Sequence, residues 1–306
     1  MTESLPLLLH VGYHKTATSW MQNRLFTPDH GYAQLCGHQQ VHDLITNPHG
    51  LQFDPHLMRD LIDTARQKVP QGAVPVISSE ILSGHHFTGG YQSDVYAWRL
   101  KEIAPRALIL LSIRSQMTIL PSCYMQYLMS GGTMPWPQFF RGERDIGYPA
   151  FSPVHFEYDR LIDHYQTLFG AENVHVVTQE SIAHDMGQMA DELAAFTGNR
   201  LYSGLSDSAR VIYAPSYAET TAPVLRRINH VQSSMLNRCP VIELGHTPTG
   251  LFKLYGAGHR RVMGALGREP ARPIRAYVRD TFGDRFGDSN RRLAALVPGL
   301  DLSDYP

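Results

Sequence analysis

The sequence predicts an α/β protein in which a parallel sheet is flanked by helices, followed by a mainly helical C-terminal part. Three observations carry this. Short, almost wholly apolar runs recur at residues 7–11, 74–79, 107–113 and 174–177, the pattern of strands buried on both faces. Helix-forming stretches separate them, so each strand returns to the sheet through a right-handed crossover. From Asp185 onward the strand-like runs give way to helical ones.

Taken in order, strand one spans about Leu7 to Val11, and its helix is expected from about Thr16 to Phe26. Residues 27–56 are rich in His, Gly, Gln and Pro and read as loop with room for one short helix. Leu57 to Lys68 is an amphipathic helix, with Leu57, Leu61 and Ala65 at fourfold spacing. A strand at Val74 to Ser79, a loop to Gly90, a helix at Ser93 to Ile103 and a strand at Ala107 to Ile113 follow. The next helix ends near Gly131-Gly132, and Pro135 and Pro137 enforce a loop. Phe156 to Phe169 reads as helix and Val174 to Val177 as a short strand. Beyond it, Met186 to Phe196 and Thr221 to Leu236 are the clearest helices. Tyr202 to Tyr217 and the Gly-rich run Gly245 to Gly267 suit the wall or lid of a pocket. We expect one domain over residues 1–306, its core in 1–184 and a helical extension in 185–306.

Composition narrows the function. The 27 basic and 28 acidic residues leave a formal charge of −1, which argues against a general nucleic-acid binder. Basic charge is uneven, with nine Arg against four acidic residues between Arg260 and Arg292, a stretch that either completes an anion site or forms a solvated helix face. No apolar run is long enough for a membrane span. Leu5 to Val11 is too short for an export signal and follows Glu3, so a cytoplasmic location is expected. Cys36, Cys123 and Cys239 fit no metal-ligand spacing and read as free thiols of a reducing compartment. His85 and His86 adjoin, and from a strand or a helix their rings point apart, so no metal site is expected.

Two segments carry the chemistry. In Leu7-Leu8-Leu9-His10-Val11-Gly12-Tyr13-His14-Lys15-Thr16-Ala17-Thr18-Ser19, a strand ends in Gly12, and a Lys and three hydroxyl residues precede a helix. Strand, turn and helix start make a place for a phosphate or sulfate, with free N–H groups, a mobile ammonium and hydroxyl donors. The spacing differs from an ordinary nucleotide-triphosphate loop, which needs Gly, four residues and Gly-Lys-Ser/Thr. The second segment is the strand ending at Ile113, with Arg114 at its C-terminal edge, Ser122 eight residues on and Tyr124 two further. An Arg fork at a strand end and a Ser on the following helix can converge on one phosphate.

With these motifs the chain resembles the sulfotransferases that use 3'-phosphoadenosine 5'-phosphosulfate (PAPS), in particular their bacterial branch. In that family the first motif holds the 5'-phosphosulfate, and His14, Lys15, Thr16, Ala17, Thr18 and Ser19 resemble it, with Ala17 where Gly is usual. The second holds the 3'-phosphate, and Arg114, Ser122 and Tyr124 match it. Ser115-Gln116 replaces the usual Asn/Asp-Pro pair, and Ile119 stands where a basic residue is common. Phe169 to Val174, Thr178-Gln179-Glu180, Ser289 to Leu293 and Gly299 to Leu302 are similar too. The resemblance implies a P-loop nucleoside-triphosphate-hydrolase-like sulfotransferase fold, PAPS as donor, 3'-phosphoadenosine 5'-phosphate (PAP) as product, and no metal requirement.

On this reading Lys15 assists the leaving phosphate, and Glu80, at the end of strand Val76-Ile77-Ser78-Ser79, is the expected base. His85 and His86 are the alternatives, because imidazole titrates near neutrality. The acceptor is a hydroxyl on a small molecule, carbohydrate or lipid. Trp136, Phe139, Phe140, Tyr148, Phe151 and Phe156 either line its pocket or pack as core. Two other functions share these features: a Mg-ATP-dependent small-molecule kinase and a catalytically silent nucleotide-binding protein.

Overall fold

Four apolar runs form strands β1 (Leu8–Gly12), β3 (Val74–Ser78), β4 (Leu108–Ile113) and β5 (Val174–Thr178) in the computed structural model, which describes residues 5–142, 150–211, 217–265 and 270–306. A fifth strand, β2 (Tyr32–Gln34), lies in the segment expected to be loop. All pairings are parallel, in the order β2-β3-β1-β4-β5. β1 is central and buried along its whole length, with Leu9 in register with Ile77 on one side and Ile109 on the other. The chain leaves β1 towards the β3 side and later crosses to β4, so a crevice opens at the C-terminal strand ends where the order switches.

Helices cover both faces. One face of the sheet, with Leu9, Val11, Ile77, Ile109, Leu111 and Ile113, packs on α3 (Pro55–Arg66), α4 (Ser93–Ile103), α5 (Gln116–Met129) and α7 (Tyr158–Phe169). The opposite face, with Leu8, Val76, Leu110 and Val177, meets Trp20, Met21 and Leu25 and helix α9 (Met186–Thr197). The α/β architecture with a mainly helical C-terminal region is thus as the apolar pattern dictates. That region contains α10 (Ala222–Ile228), α11 (Gly250–Ala265), α12 (Pro273–Phe282) and α13 (Gly287–Leu296). Residues of the last two join the core beside α7 and α5.

Local departures have physical causes. The first helix, α1 (Thr18–Trp20, continuing as a wide turn over Met21–Leu25), starts two residues later than expected, because Lys15 and Ala17 take left-handed backbone. Pro135 and Pro137 introduce α6 (Trp136–Arg141) instead of preventing it, since proline is tolerated in a first helical turn. The helix expected to reach Leu236 stops at Ile228. Buried Asn229 donates from Nδ2 to the carbonyls of Leu128 and Gly132, both at 2.8 Å, and turns the chain. Part of the Gly-rich run is helical as α11, and Tyr148 lies outside the described residues.

Candidate active site

The loop after β1 is shaped by what cannot fit there. A Cβ at Gly12 would stand 2.7 Å from Ser112 Oγ, 2.8 Å from Thr18 Oγ1 and 2.9 Å from His10 Nε2, so only glycine lets the strand end approach β4. Tyr13 N then donates to the Ser112 carbonyl at 2.9 Å. Lys15 (φ 70°) and Ala17 (φ 63°) are left-handed, and they alternate with His14 and Thr16 at negative φ. Such alternation turns successive N–H groups to one side, and none of those from residues 14–19 donates to another group among the described residues. Ala17 adopts a backbone that glycine takes freely and that costs other residues about 1 kcal/mol or more. A glycine would take this backbone without that cost.

Beneath the loop is a polar network that sequence reasoning missed. His10, fully buried in β1, binds Ser78 Oγ at 2.8 Å through Nδ1 and Ser112 Oγ at 3.0 Å through Nε2. Ser112 Oγ meets Thr16 Oγ1 at 2.7 Å, and Thr16 Oγ1 donates to the Tyr13 carbonyl at 2.6 Å. The Thr16 hydroxyl, expected among the anion donors, is therefore engaged inside the protein. Burial holds the His10 imidazole neutral, at about 3, so it can donate at one nitrogen and accept at the other. A polar residue amid the apolar run of β1 was the available signal.

One cleft of about 1430 Å³ brings together residues of both sequence segments and the candidates for a base: His14, Lys15, Ala17, Thr18, Ser19, Glu80, His85, His86, Arg114 and Ser122 all line it. The Lys15 ammonium and the Ser122 hydroxyl have no partner among the described residues, and Thr18 Oγ1 is buried without one. Loss of hydration draws Lys15 below the ordinary lysine range, and neighbouring Arg114 acts in the same direction. Arg114 donates from Nε to Thr118 Oγ1 at 2.8 Å and from Nη1 to the Lys15 carbonyl at 3.3 Å, linking the two motifs directly. Tyr124 is not in the cleft. It is fully buried, with its hydroxyl on the Met134 carbonyl at 2.9 Å.

Glu80 opens a short 3-10 turn (Glu80–Ser83) after β3, half-buried, its carboxylate accepting no hydrogen bond from the described residues. Contrary to expectation, His85 and His86 do not point apart. A second 3-10 turn (His86–Thr88) brings their rings to 5.3 Å in a stack, with His14 4.1 Å from His86. Burial first, then the mutual presence of the imidazoles and Lys15, keeps His14 and His86 well below the usual histidine value. His14 Nε2 and both ring nitrogens of His86 are buried without partners. Among the described residues no group of three or more His, Cys, Asp or Glu is placed to hold a metal ion.

The basic C-terminal stretch divides. Arg260, Arg272 and Arg275 line the cleft. Arg291 pairs with Asp288, Arg292 with Asp159 and Arg285 with Glu157, so these guanidiniums are engaged elsewhere. Arg275 sits at the start of α12, where Glu219 Oε2 accepts from the N–H groups of Ile274 and Arg275 at 2.8 and 3.0 Å. These aromatic residues settle as core: Phe139, Phe140, Phe151 and Phe156 are buried, Phe139 packs edge-on with Tyr124 and Phe140, Phe140 edge-on with Phe151, Phe156 stacks on Phe151, and none lines the cleft.

No family model matches the sequence, and no curated protein resembles it closely enough to count as a match. Solved structures do resemble the chain in outline. A sulfotransferase from Alicyclobacillus acidocaldarius is 19% identical over 70% of this chain and 88% of its own, with a TM-score of 0.47. The mouse sulfotransferase SULT7A1, complexed with PAP, is 12% identical over 95% of this chain and 82% of its own, at 0.37. A sulfotransferase domain from the curacin biosynthetic pathway is 11% identical over 89% of this chain and its whole length, at 0.41.

Proposed function

We propose that the chain transfers the sulfuryl group of PAPS to a hydroxyl acceptor. The observation that carries this is the convergence of unpartnered Lys15, Thr18 and Ser122 with Arg114 and a free Glu80 carboxylate on one cleft at the C-terminal strand ends. The residues fit a doubly anionic nucleotide: free N–H groups and a buried, unpaired hydroxyl on the first loop, a guanidinium and a hydroxyl on β4 and α5. When bound, PAPS supplies a sulfuryl group already activated on its own phosphate, so no metal is required.

The remaining work falls to this chain. Lys15, with Thr18, Ser19 and the amides of residues 14–19, would hold the 5' end, and its ammonium neutralises negative charge developing there. Arg114 and Ser122 would hold the 3'-phosphate. Thr16 supports the loop from below through Ser112 and offers only its amide. Glu80 takes the acceptor's proton on a carboxylate oxygen. A positioned base of this kind contributes about 10² to 10⁴ in rate.

Calorimetric titration with PAP and with ATP, each with and without magnesium, tests the reading alongside transfer of labelled sulfate in EDTA. Tighter binding of PAP and metal-independent transfer are expected. Lys15→Ala should lower turnover far more than it weakens PAP binding. Tight, magnesium-dependent ATP binding without sulfate transfer would replace this reading with a kinase.

A further inference from the structure

The C-terminal region carries a second feature, outside the nucleotide site. Residues 235–244 form a loop whose base is closed by Ser233 N on the Gly245 carbonyl and Thr247 N on the Ser233 carbonyl, both at 2.9 Å. Gln232 lies against Gly245 and Gly250, so the foot of this loop adjoins the start of α11. Along the loop Leu236, Val241, Ile242 and Leu244 are exposed, Val241 completely.

Helix α11 has more apolar surface than the core covers. Phe252, Gly256, His259 and Met263 share its inward face, buried or lining the cleft. At 100° per residue, Leu251, Leu254, Gly258 and Val262 fall on another face, and all four are exposed, Leu254 by 71% and Val262 by 58%. Lys253, Arg260 and Arg261 occupy the arc between these faces. Between Ala222 and Ala265 there are six Lys and Arg and a single carboxylate, Glu243, in a chain whose total charge is −1.

Exposed aliphatic side chains flanked by cations, with almost no acid, complement one kind of surface: apolar chains beneath anionic headgroups. We infer that the loop 235–244 and the outer face of α11 dock this protein on an anionic lipid bilayer. Val241, Ile242 and Leu254 enter the acyl boundary, and Arg238, Lys253 and Arg261 lie among the headgroups. The same loop and helix supply Met235, Arg260 and Met263 to the cleft, so docking brings that wall of the cleft to the lipid surface.

Sedimentation with phosphatidylcholine vesicles, with and without phosphatidylglycerol, tests this independently of the sulfuryl-transfer reading. The protein should pellet with the anionic vesicles and release as salt is raised. The double substitution Ile242→Asp, Leu254→Asp and the double substitution Lys253→Glu, Arg261→Glu should each weaken binding about tenfold or more. Thermal midpoints should stay unchanged, since all four side chains are exposed. Absence of pelleting, equal pelleting with neutral vesicles, or full retention by both variants overturns the inference. So does a dimer in light scattering that Ile242→Asp, Leu254→Asp dissolves while vesicle binding persists, because the face then belongs to a second copy.

Discussion

Ser112 Oγ and Thr16 Oγ1, 96 positions apart in sequence, lie 2.7 Å apart and join the end of β4 to the loop after β1. Ser112 also holds His10, so one hydroxyl serves two buried polar partners at the floor of the cleft. The loop is consequently positioned from beneath by side chains that never reach the ligand side.

Ser112→Ala removes that hydroxyl and leaves His10 Nε2 and Thr16 Oγ1 each short of a partner. A buried polar group left unsatisfied costs about 1–3 kcal/mol. We expect a loss of that order in urea unfolding, together with weaker PAP binding.

Ala17 offers a sharper test of backbone geometry. At φ 63° a glycine carries no steric penalty, whereas a β-branched side chain is a true outlier. Ala17→Gly should keep both fold and PAP affinity, and Ala17→Val should cost about 1–3 kcal/mol of stability. Equal behaviour of the two would mean that the left-handed turn is not kept in solution.

Glu80 is the proposed base and His85 and His86 are the alternatives, and substitution separates them. Glu80→Gln should lower turnover about 10²- to 10⁴-fold with PAP affinity preserved. His86→Asn should lower it less. A near-normal rate for Glu80→Gln at neutral pH assigns the proton to His85 or His86.

Arg114 should discriminate nucleotides by the 3'-phosphate. A charge-assisted hydrogen bond contributes about 1.5–3 kcal/mol, so Arg114→Ala should weaken PAP by about ten- to a hundredfold. Adenosine 5'-phosphosulfate, lacking that phosphate, should lose much less. Ser122→Ala should show the same selectivity with a smaller loss, since its hydroxyl is a neutral donor.

The buried imidazoles make stability depend on pH. Burial lowers His10 and His155 to about 3, and it lowers His14 and His86 as well. Below about pH 6.5 the unfolded chain takes up protons that the folded one refuses, so stability is full above that pH and falls beneath it. Each such imidazole contributes up to about 1.4 kcal/mol per pH unit. Urea midpoints should drop from about pH 7 to about pH 5, and His155→Phe should flatten the slope.

Much of this was legible in the sequence because its signals are local. The runs at β1, β3, β4 and β5 declare buried parallel strands, and Lys15 and Arg114 stand where such strands end. β2 was not legible, since Tyr32–Gln34 is three residues long and pairs only at the sheet edge with β3. The early end of α10 depends on Asn229 reaching Leu128 and Gly132, about a hundred positions away, which no local pattern records. Arg275 escaped for a similar reason, because Glu219, 56 positions earlier, accepts from its N–H and caps the helix that carries it. His85 and His86 were misjudged because a 3-10 turn stacks rings that a strand or α-helix would separate.

The pairing of Gly12 with Ser112 at the centre of the sheet has a thermodynamic consequence. Lys15 and Arg114 meet only once β1 and β4 have closed the long chain between them, so the cleft and the middle of the sheet form together. A nucleotide held by both residues, as proposed, would bind the folded chain and not the unfolded one. At a hundred times its dissociation constant, such a ligand adds about 2.7 kcal/mol to the free energy of unfolding. On the proposed reading, the supply of nucleotide would then bear on the lifetime of the folded chain as well as on its turnover.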